Sequence, residues 1–202
     1  MARPARNASP ENIVSCARTF FATTKTAQGS ALLQSERNAM LMIDVLRSYV
    51  VAGKFRLHDF VVMPNHLHLL LTVGQGMTIE KAMQFVKGGF SFRAKKELVS
   101  NAEIWQRGFS DHRIRDCEDY ERHVQYIRMN PVKGRLCERA EQYKYSSAFP
   151  GWKLDPIPQG LKPGASLGAS GGTAEAVPFQ NKSDQAGGSD KSVPFQDTNT
   201  RI

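Results

Sequence analysis

Two histidines separated by one residue are the most distinctive chemical feature of the sequence. His66 and His68 lie in the segment VVMPNHLHLLLTV, in which a Pro64-Asn65 turn dipeptide precedes an apolar run. Side chains two positions apart on a strand point to the same face of a sheet, so both imidazoles would project together. Two adjacent imidazoles supply half of the ligands of a divalent metal site. The alternative is a pair of structural histidines in ordinary hydrogen bonds.

A tyrosine and an asparagine share one stripe of a helix that is predicted to begin after Asp116, in EDYERHVQYIRMNP. The apolar positions of this helix fall on one side and comprise Tyr120, Val124 and Ile127. Tyr126 lies off that side, on a stripe with His123 and Asn130. A phenol beside a carboxamide and away from the core is free to react. The alternatives are a half-exposed tyrosine that packs on a neighbour and an asparagine favoured by Pro131 at a helix end.

Together, these side chains suggest a phosphoryl-transfer mechanism. Two histidines and one asparagine can hold a divalent ion with open positions, and such an ion polarises and orients a scissile phosphate. Tyr126 would then attack as a covalent nucleophile, after activation, because a phenol is protonated at neutral pH. The attack would join the protein to a 5′-phosphate and release a 3′-hydroxyl. Since the ester conserves the energy of the broken bond, the strand could be rejoined without ATP.

The elements that must position these residues follow the order β-α-β-β-α-β, with one further helix. The predicted strands are 19–24, 56–63, 66–73 and 104–114, and the predicted helices are 35–52, 78–98 and 116–130. Ser35 is expected to cap the first helix, Gly88-Gly89 to interrupt the second, and Pro131 to end the third. This order predicts an α+β fold: a ferredoxin-like split β-α-β antiparallel sheet with an added C-terminal catalytic helix.

Composition divides the chain near Trp152. In residues 154–202, Gly, Pro and Ser account for 17 of 49 positions, and this segment cannot bury enough apolar surface to offset its ordering entropy. We therefore predict a folded domain at 1–153 and a disordered tail at 154–202. The tail contains a near-repeat, AVPFQN and SVPFQD, which is either a linear motif or a duplication in low-complexity sequence.

The charge of the chain is consistent with a nucleic-acid partner, and the alternative is a basic protein whose charge serves only solubility. The chain of 202 residues has a net charge of +8, and residues 1–153 carry 23 Lys and Arg against 14 Asp and Glu, so the excess positive charge belongs to the predicted domain. No stretch approaches the roughly 20 apolar residues of a membrane helix, so no membrane partner is expected. The three cysteines contain no CxxC pair, which favours a cytoplasmic protein over a disulfide framework.

Four segments in order resemble the REP-associated tyrosine transposases, a branch of the single-tyrosine HUH transposase superfamily. They are VVMPNHLHLLL at 61–71, FVKGGFSFRAKKEL at 85–98, IWQRGFSDHRIRD at 104–116 and HVQYIRMNPVKGRL at 123–136. The resemblance implies Tyr126 as the nucleophile and His66, His68 and Asn130 as ligands of Mg²⁺ or Mn²⁺. It also implies cleavage of single-stranded DNA folded as a hairpin on a palindromic repeat, and it identifies 1–153 as the transposase domain. The protein would act as a monomer or a homodimer.

Basic and aromatic residues predict a DNA-binding surface. The expected DNA-binding residues are Lys87, Arg93 and Lys95 on the second helix and Arg113 and Arg115 on the last strand, with Asp111, His112 and His123 supporting the metal site. Gly88-Gly89 would let the backbone approach phosphate. Trp105 and Phe109 would either stack on unpaired bases or lie in the core. The alternative function is a non-catalytic protein that binds structured single-stranded DNA.

Overall fold

The structure, a computed structural model, describes residues 17–97, 103–158 and 161. Within these residues, four strands form an antiparallel sheet in the order β2-β3-β1-β4: β1 is Arg18–Lys25, β2 is Arg56–Met63, β3 is His66–Val73 and β4 is Ser110–Arg113. The helices are α1, Glu36–Val51; α2, Ile79–Glu97; and α3, Cys117–Lys133. Single 3₁₀ turns lie at Ala27–Gly29, Leu32–Gln34 and Ala140–Gln142. The predicted α+β, ferredoxin-like sheet with an added helix is confirmed.

The helices cover opposite faces of the sheet. Leu67 and Leu69 of β3 share one apolar core with buried residues of α1 and α2, whereas Leu70 packs in a second core with Tyr120 and Ile127 of α3. This division follows from the alternation of side chains along a strand. Because His66 and His68 are four and two positions before Leu70, they lie on the α3 face.

Side-chain caps fix where two helices begin. The Ser35 hydroxyl accepts a hydrogen bond from the backbone N–H of Asn38 at 3.3 Å, and the Asp116 carboxylate accepts one from Asp119 N at 2.8 Å. After α1, the chain turns at Gly53, whose φ of +65° suits a residue without a Cβ. The caps predicted at Ser35 and Asp116 are therefore confirmed.

Helix α2 runs through Gly88-Gly89 without a break, so the predicted interruption is wrong. The reason is helix packing: a Cβ at Gly89 would lie 2.6 Å from the Tyr49 ring of α1. Gly89 thus permits a close approach of α1 and α2 and faces a tyrosine. No atom lies within 4 Å of the corresponding position at Gly88.

Two other boundaries differ from the prediction. The last strand spans only Ser110–Arg113, and Trp105 contributes an isolated bridge to Thr26, because the chain turns at Gly108 with a φ of +75°. Helix α3 continues through Pro131 to Lys133, and Gly134 N then bonds to Asn130 O at 2.9 Å. The loss of one backbone donor at Pro131 is therefore tolerated in the last turn, where Pro131 is buried.

The folded part extends beyond the boundary at residue 153. The Asp155 N–H donates to Leu57 O at 2.9 Å, and the Asp155 carboxylate accepts from Leu57 N at 2.7 Å, so the chain remains paired with the start of β2. Residues 162–202, with the VPFQ near-repeat of the predicted tail, lie outside the described residues. Among the described helices, none has the length and apolar character to cross a membrane.

Candidate active site

His66 and His68 lie side by side at the start of β3. Their ring centroids are 4.7 Å apart, and the two rings are nearly perpendicular. In the pairing of β3 with β1, Thr23 lies opposite His68 and Lys25 lies opposite His66. Residues that face each other across antiparallel strands project to the same side, so all four side chains leave the sheet on the α3 face.

One nitrogen of His68 is buried without a partner. His68 Nδ1 bonds to the Thr23 hydroxyl at 2.7 Å, while His68 Nε2 has no hydrogen-bond partner among the described residues. Burial, followed by the charges of His66 and Lys25, lowers the pKa of His68 to about 3, so the ring is neutral at physiological pH. A neutral imidazole with one nitrogen held by a polar neighbour and the other free is the form that binds metal ions.

Asn65 orients the ring of His66. His66 Nδ1 lies 2.7 Å from Asn65 Oδ1, and since an amide oxygen only accepts, Nδ1 carries the hydrogen. Burial lowers the pKa of His66, and a hydrogen bond with the Asn130 side chain opposes that shift. Asn130 belongs to the last part of α3, so this contact joins the end of the helix to the start of β3.

Tyr126 of α3 lies over the histidine pair. The centroid of its ring is 5.2 Å from that of His68, and the two rings are close to perpendicular. The Phe21 ring packs against both, with its centroid 5.7 Å from that of Tyr126 and 5.3 Å from that of His68. The tyrosine is 39% exposed, so part of the residue is open to solvent. The Lys133 ammonium lies 5.9 Å from the Tyr126 ring centroid.

The predicted nucleophile and the predicted metal ligands therefore come together in one place. His66, His68 and Asn130 supply two imidazoles and one amide beside Tyr126. The partnerless, buried Nε2 of His68 is the observation that fits a metal ligand, because a buried polar atom without a partner is costly. The donor set of two nitrogens and one oxygen suits Mn²⁺ better than Mg²⁺, which prefers oxygen ligands.

A second polar cluster joins β4 to α3. His112 Nε2 lies 2.8 Å from Asp119 Oδ2, and His123 Nδ1 bonds to the Asp119 backbone carbonyl at 2.7 Å. Burial would raise the pKa of Asp119, but hydrogen bonding to His112 and the neighbouring histidines hold it below its usual value. The three residues have potential ligand atoms within 4.8 Å of one another, yet His112 is already bonded to the Asp119 carboxylate and His123 to the Asp119 backbone carbonyl. The rings of His123 and Phe21 are 4.7 Å apart, so the cluster supports the wall of the histidine site.

The predicted DNA-binding residues of α2 lie across the sheet from this site. The Lys87 ammonium donates to the backbone carbonyls of Gln106 and Gly108 at 2.8 and 2.6 Å, which fixes the loop before β4. Arg93 forms an ion pair with Glu97 at 2.6 Å, and Lys95 is exposed. Trp105 is buried in the core that α2 covers, and Phe109 packs against that core. The structure therefore does not bring the α2 cations to the histidine pair.

Arg113 and Arg115 do not lie together on the last strand, as the sequence predicted. Strand β4 ends at Arg113, which pairs with Phe20, and His112 pairs with Phe21. Since neighbouring residues of a strand alternate, Asp111 and Arg113 point away from the α3 face and His112 points toward it. Arg115 lies outside the strand, and its backbone N–H donates to Asp119 Oδ2 at 3.3 Å.

Sequence reasoning missed an ion pair between a buried aspartate of β2 and an exposed arginine of α3. Asp59 of β2 is fully buried, and its carboxylate accepts from Arg128 Nε at 3.1 Å and from the Ser147 hydroxyl. Burial raises the pKa of Asp59. The hydrogen bond from Ser147 and the charge of Arg128 act in the opposite direction but do not cancel the rise. Arg128 lies between Tyr126 and Asn130 in sequence, so this pair holds the part of α3 that carries both residues against β2. The pairing joins positions far apart in the chain, and no local sequence signal marks it.

Comparison with known proteins gives a consistent set of matches. The family profile described as "Transposase IS200 like" matches residues 26–130. A REP-associated tyrosine transposase of Escherichia coli K12 is 29% identical over 127 residues, which is 57% of this chain and 71% of the relative. A similar relative from Haemophilus influenzae is 29% identical over 108 residues, and the match spans only 61% of its length. These matches confirm the resemblance that the sequence motifs indicate.

A solved structure shows the same fold. The structure of a REP-associated tyrosine transposase bound to a REP hairpin superposes with a TM-score of 0.55 and 24% sequence identity. The superposition covers 80% of this chain and 97% of that chain. The sheet and helices described above therefore occur together in a protein solved with hairpin DNA.

Proposed function

The chain belongs to the IS200-like transposase family, enzymes of the HUH type, and from that premise we propose that it cleaves and rejoins single-stranded DNA through a phosphotyrosine at Tyr126. The observation that carries the proposal is the position of the Tyr126 ring, 5.2 Å from His68, whose buried Nε2 lacks a partner. A nucleophile beside a ligand-ready nitrogen is the arrangement that metal-assisted phosphoryl transfer requires.

The proposed step exchanges one phosphodiester for another. The Tyr126 oxygen forms a bond to phosphorus, and the bond between phosphorus and the 3′-oxygen of the upstream nucleotide breaks. The phenolic proton leaves to solvent, and the departing 3′-oxygen takes up a proton. The downstream strand then remains on Tyr126 through its 5′-phosphate, and attack by a 3′-hydroxyl in reverse restores an intact strand.

The residues around Tyr126 prepare this step. His66, His68 and Asn130 would hold Mg²⁺ or Mn²⁺, which when bound would polarise the scissile phosphate. Thr23 and Asn65 fix the orientation of the two imidazoles through their Nδ1 atoms at 2.7 Å each. Phe21 packs against His68 and Tyr126 and keeps both rings in place.

We propose hairpin DNA as the substrate. Support comes from the basic charge of the chain and from the relative whose structure contains a REP hairpin. Tyr126 and the three proposed ligands belong to the same chain and lie together in it, which supports a monomer that acts with its own tyrosine. The charge of a domain that binds a polyanion predicts a strong dependence of affinity on salt.

The proposal is tested with hairpin oligonucleotides taken from inverted repeats that flank the coding region. The protein is incubated with each oligonucleotide and Mn²⁺, and products are separated on a denaturing gel. We expect a protein–DNA adduct that survives denaturation, and its loss when EDTA replaces Mn²⁺. Tyr126→Phe should lose the adduct while it retains hairpin affinity within about threefold, because one hydroxyl group contributes little to phosphate-dominated binding.

A matched control is Tyr49→Phe, which removes a phenol on the opposite side of the sheet and should leave the adduct unchanged. An adduct of normal yield in Tyr126→Phe contradicts the proposed nucleophile. Tight hairpin binding by the wild type without an adduct, at any Mn²⁺ concentration, would instead identify a non-catalytic binding protein.

A further inference from the structure

Lys25, the last residue of β1, places a positive charge beside the histidine pair. It lies opposite His66 in the pairing of β1 with β3, so its side chain leaves the sheet on the same face as His66 and His68. Lys25 and the two imidazoles therefore share one face of the sheet, where β1 ends and β3 begins.

The backbone around Lys25 is fixed to the turn that precedes His66. The N–H of Thr26 donates to the Asn65 carbonyl at 3.0 Å, and its hydroxyl lies between the carbonyls of Ser30 and Asn65, at 2.6 and 3.0 Å. Thr26 is completely buried. On the other side, Gln106 N donates to the Lys25 carbonyl at 2.9 Å. The backbone from which the lysine side chain extends is thus held in place before any substrate arrives. This reduces the entropy lost on binding.

Lys25 differs from Lys87, Arg93 and Arg128 because its charge is not used in contacts among the described residues. In the part of the chain that the structure describes, its ammonium group forms no ion pair and no hydrogen bond. Lys87 is bonded to two backbone carbonyls, and Arg93 and Arg128 are paired with carboxylates. An exposed and unpaired cation beside a proposed phosphate site is positioned for an anionic ligand.

We infer that Lys25 binds the scissile phosphate, or the phosphate next to it, of the single-stranded DNA held at Tyr126. The inference rests on the proposed function and places the DNA backbone on the α3 face, along the ends of β1 and β3. Lys25, and not the α2 cations across the sheet, then supplies the positive charge at the reacting phosphate. The ammonium group offsets the phosphate charge and helps to hold the phosphate near the tyrosine.

The test measures binding of a fluorescein-labelled hairpin oligonucleotide in EDTA, so that no cleavage occurs. Lys25→Ala should weaken binding about tenfold, the lower end of the range for a hydrogen bond to a charged group. The slope of log K against log salt should fall by about 0.7, the value for one phosphate contact in a single strand. Lys25→Arg should restore most of the affinity. Lys95→Ala, which removes an exposed lysine of α2, is the matched control.

A methylphosphonate locates the contact. The linkage that is cleaved is identified from the length of the released 3′-hydroxyl fragment, and a neutral methylphosphonate then replaces that linkage or either neighbour. We expect the effect of Lys25→Ala to disappear with one of these three oligonucleotides, whereas Lys95→Ala should bind all three about as tightly as wild type does. An effect of Lys25→Ala that persists with all three, or an unchanged salt slope, overturns the inference.

The two proposals fail in different ways. If the wild type forms no adduct with any hairpin, the proposed function fails. The salt slopes of wild type and Lys25→Ala then still decide whether Lys25 contacts a phosphate. If the adduct forms and Lys25→Ala binds as tightly as wild type at every salt concentration, only the inference about Lys25 fails.

Discussion

The neutral, buried state of His68 predicts a specific dependence of stability on pH. The pKa of the ring falls from 6.5 to about 3 on folding, because burial disfavours its charged form and the charges of His66 and Lys25 add to this effect. Between these values the unfolded chain binds a proton at His68 and the folded protein does not. The stabilisation is therefore complete above pH 6.5 and is lost as the pH falls.

Linkage sets the size of the effect. From pH 8 to pH 5, the His68 contribution to the free energy of unfolding should fall by about 2 kcal/mol. This loss would lower the urea concentration at the midpoint of unfolding by about 1 M. The assay is urea denaturation in EDTA at both pH values, for wild type and His68→Gln. Burial also lowers the pKa of His58, His66 and His123, but these residues remain in both proteins and cancel in the comparison.

The comparison between the two proteins carries the test. Since glutamine does not titrate, His68→Gln should lose about 2 kcal/mol less stability than wild type between pH 8 and pH 5. Equal losses in the two proteins, within about 0.5 kcal/mol, would refute the reasoning that His68 is held neutral in the folded state.

Two further predictions follow from side-chain contacts. Thr23→Val removes the hydroxyl bonded to His68 Nδ1 and should weaken Mn²⁺ binding by about 10- to 100-fold in a metal titration, with recovery in Thr23→Ser; equal affinity in Thr23→Val and wild type would contradict the role given to Thr23. Gly88→Ala should raise the free energy of unfolding by about 1 kcal/mol, whereas Gly89→Ala, which must displace the Tyr49 ring, should be about 1 to 3 kcal/mol less stable than Gly88→Ala; two equally stable variants in thermal denaturation would show that the ring yields freely.

Local patterns were sufficient for much of the fold. The alternation along β3 places His66 and His68 on one face independently of the rest of the fold, and that arrangement is present in the structure. The caps at Ser35 and Asp116 depend only on neighbouring residues and are also present. The stripe of α3 that carries Tyr126 follows from helical spacing in the same way.

Features that depend on distant residues were not accessible to such patterns. Whether Gly89 breaks a helix depends on the tyrosine that packs against it from α1. The side of the sheet on which the α2 lysines lie depends on which helix covers which face. Lys25 becomes a neighbour of His66 only through the register of β1 with β3, which joins positions 41 residues apart.

The central claim is that Tyr126 is the residue that becomes joined to DNA, and peptide mapping of the adduct tests it most directly. Trypsin cleavage after Arg115, Arg122 and Arg128 separates Tyr120 and Tyr126 into the peptides 116–122 and 123–128. After nuclease digestion of the adduct formed with a hairpin oligonucleotide and Mn²⁺, peptide 123–128 should carry the mass of a linked 5′-nucleotide. A nucleotide on peptide 116–122 or elsewhere in the chain, with peptide 123–128 unmodified, would contradict the account.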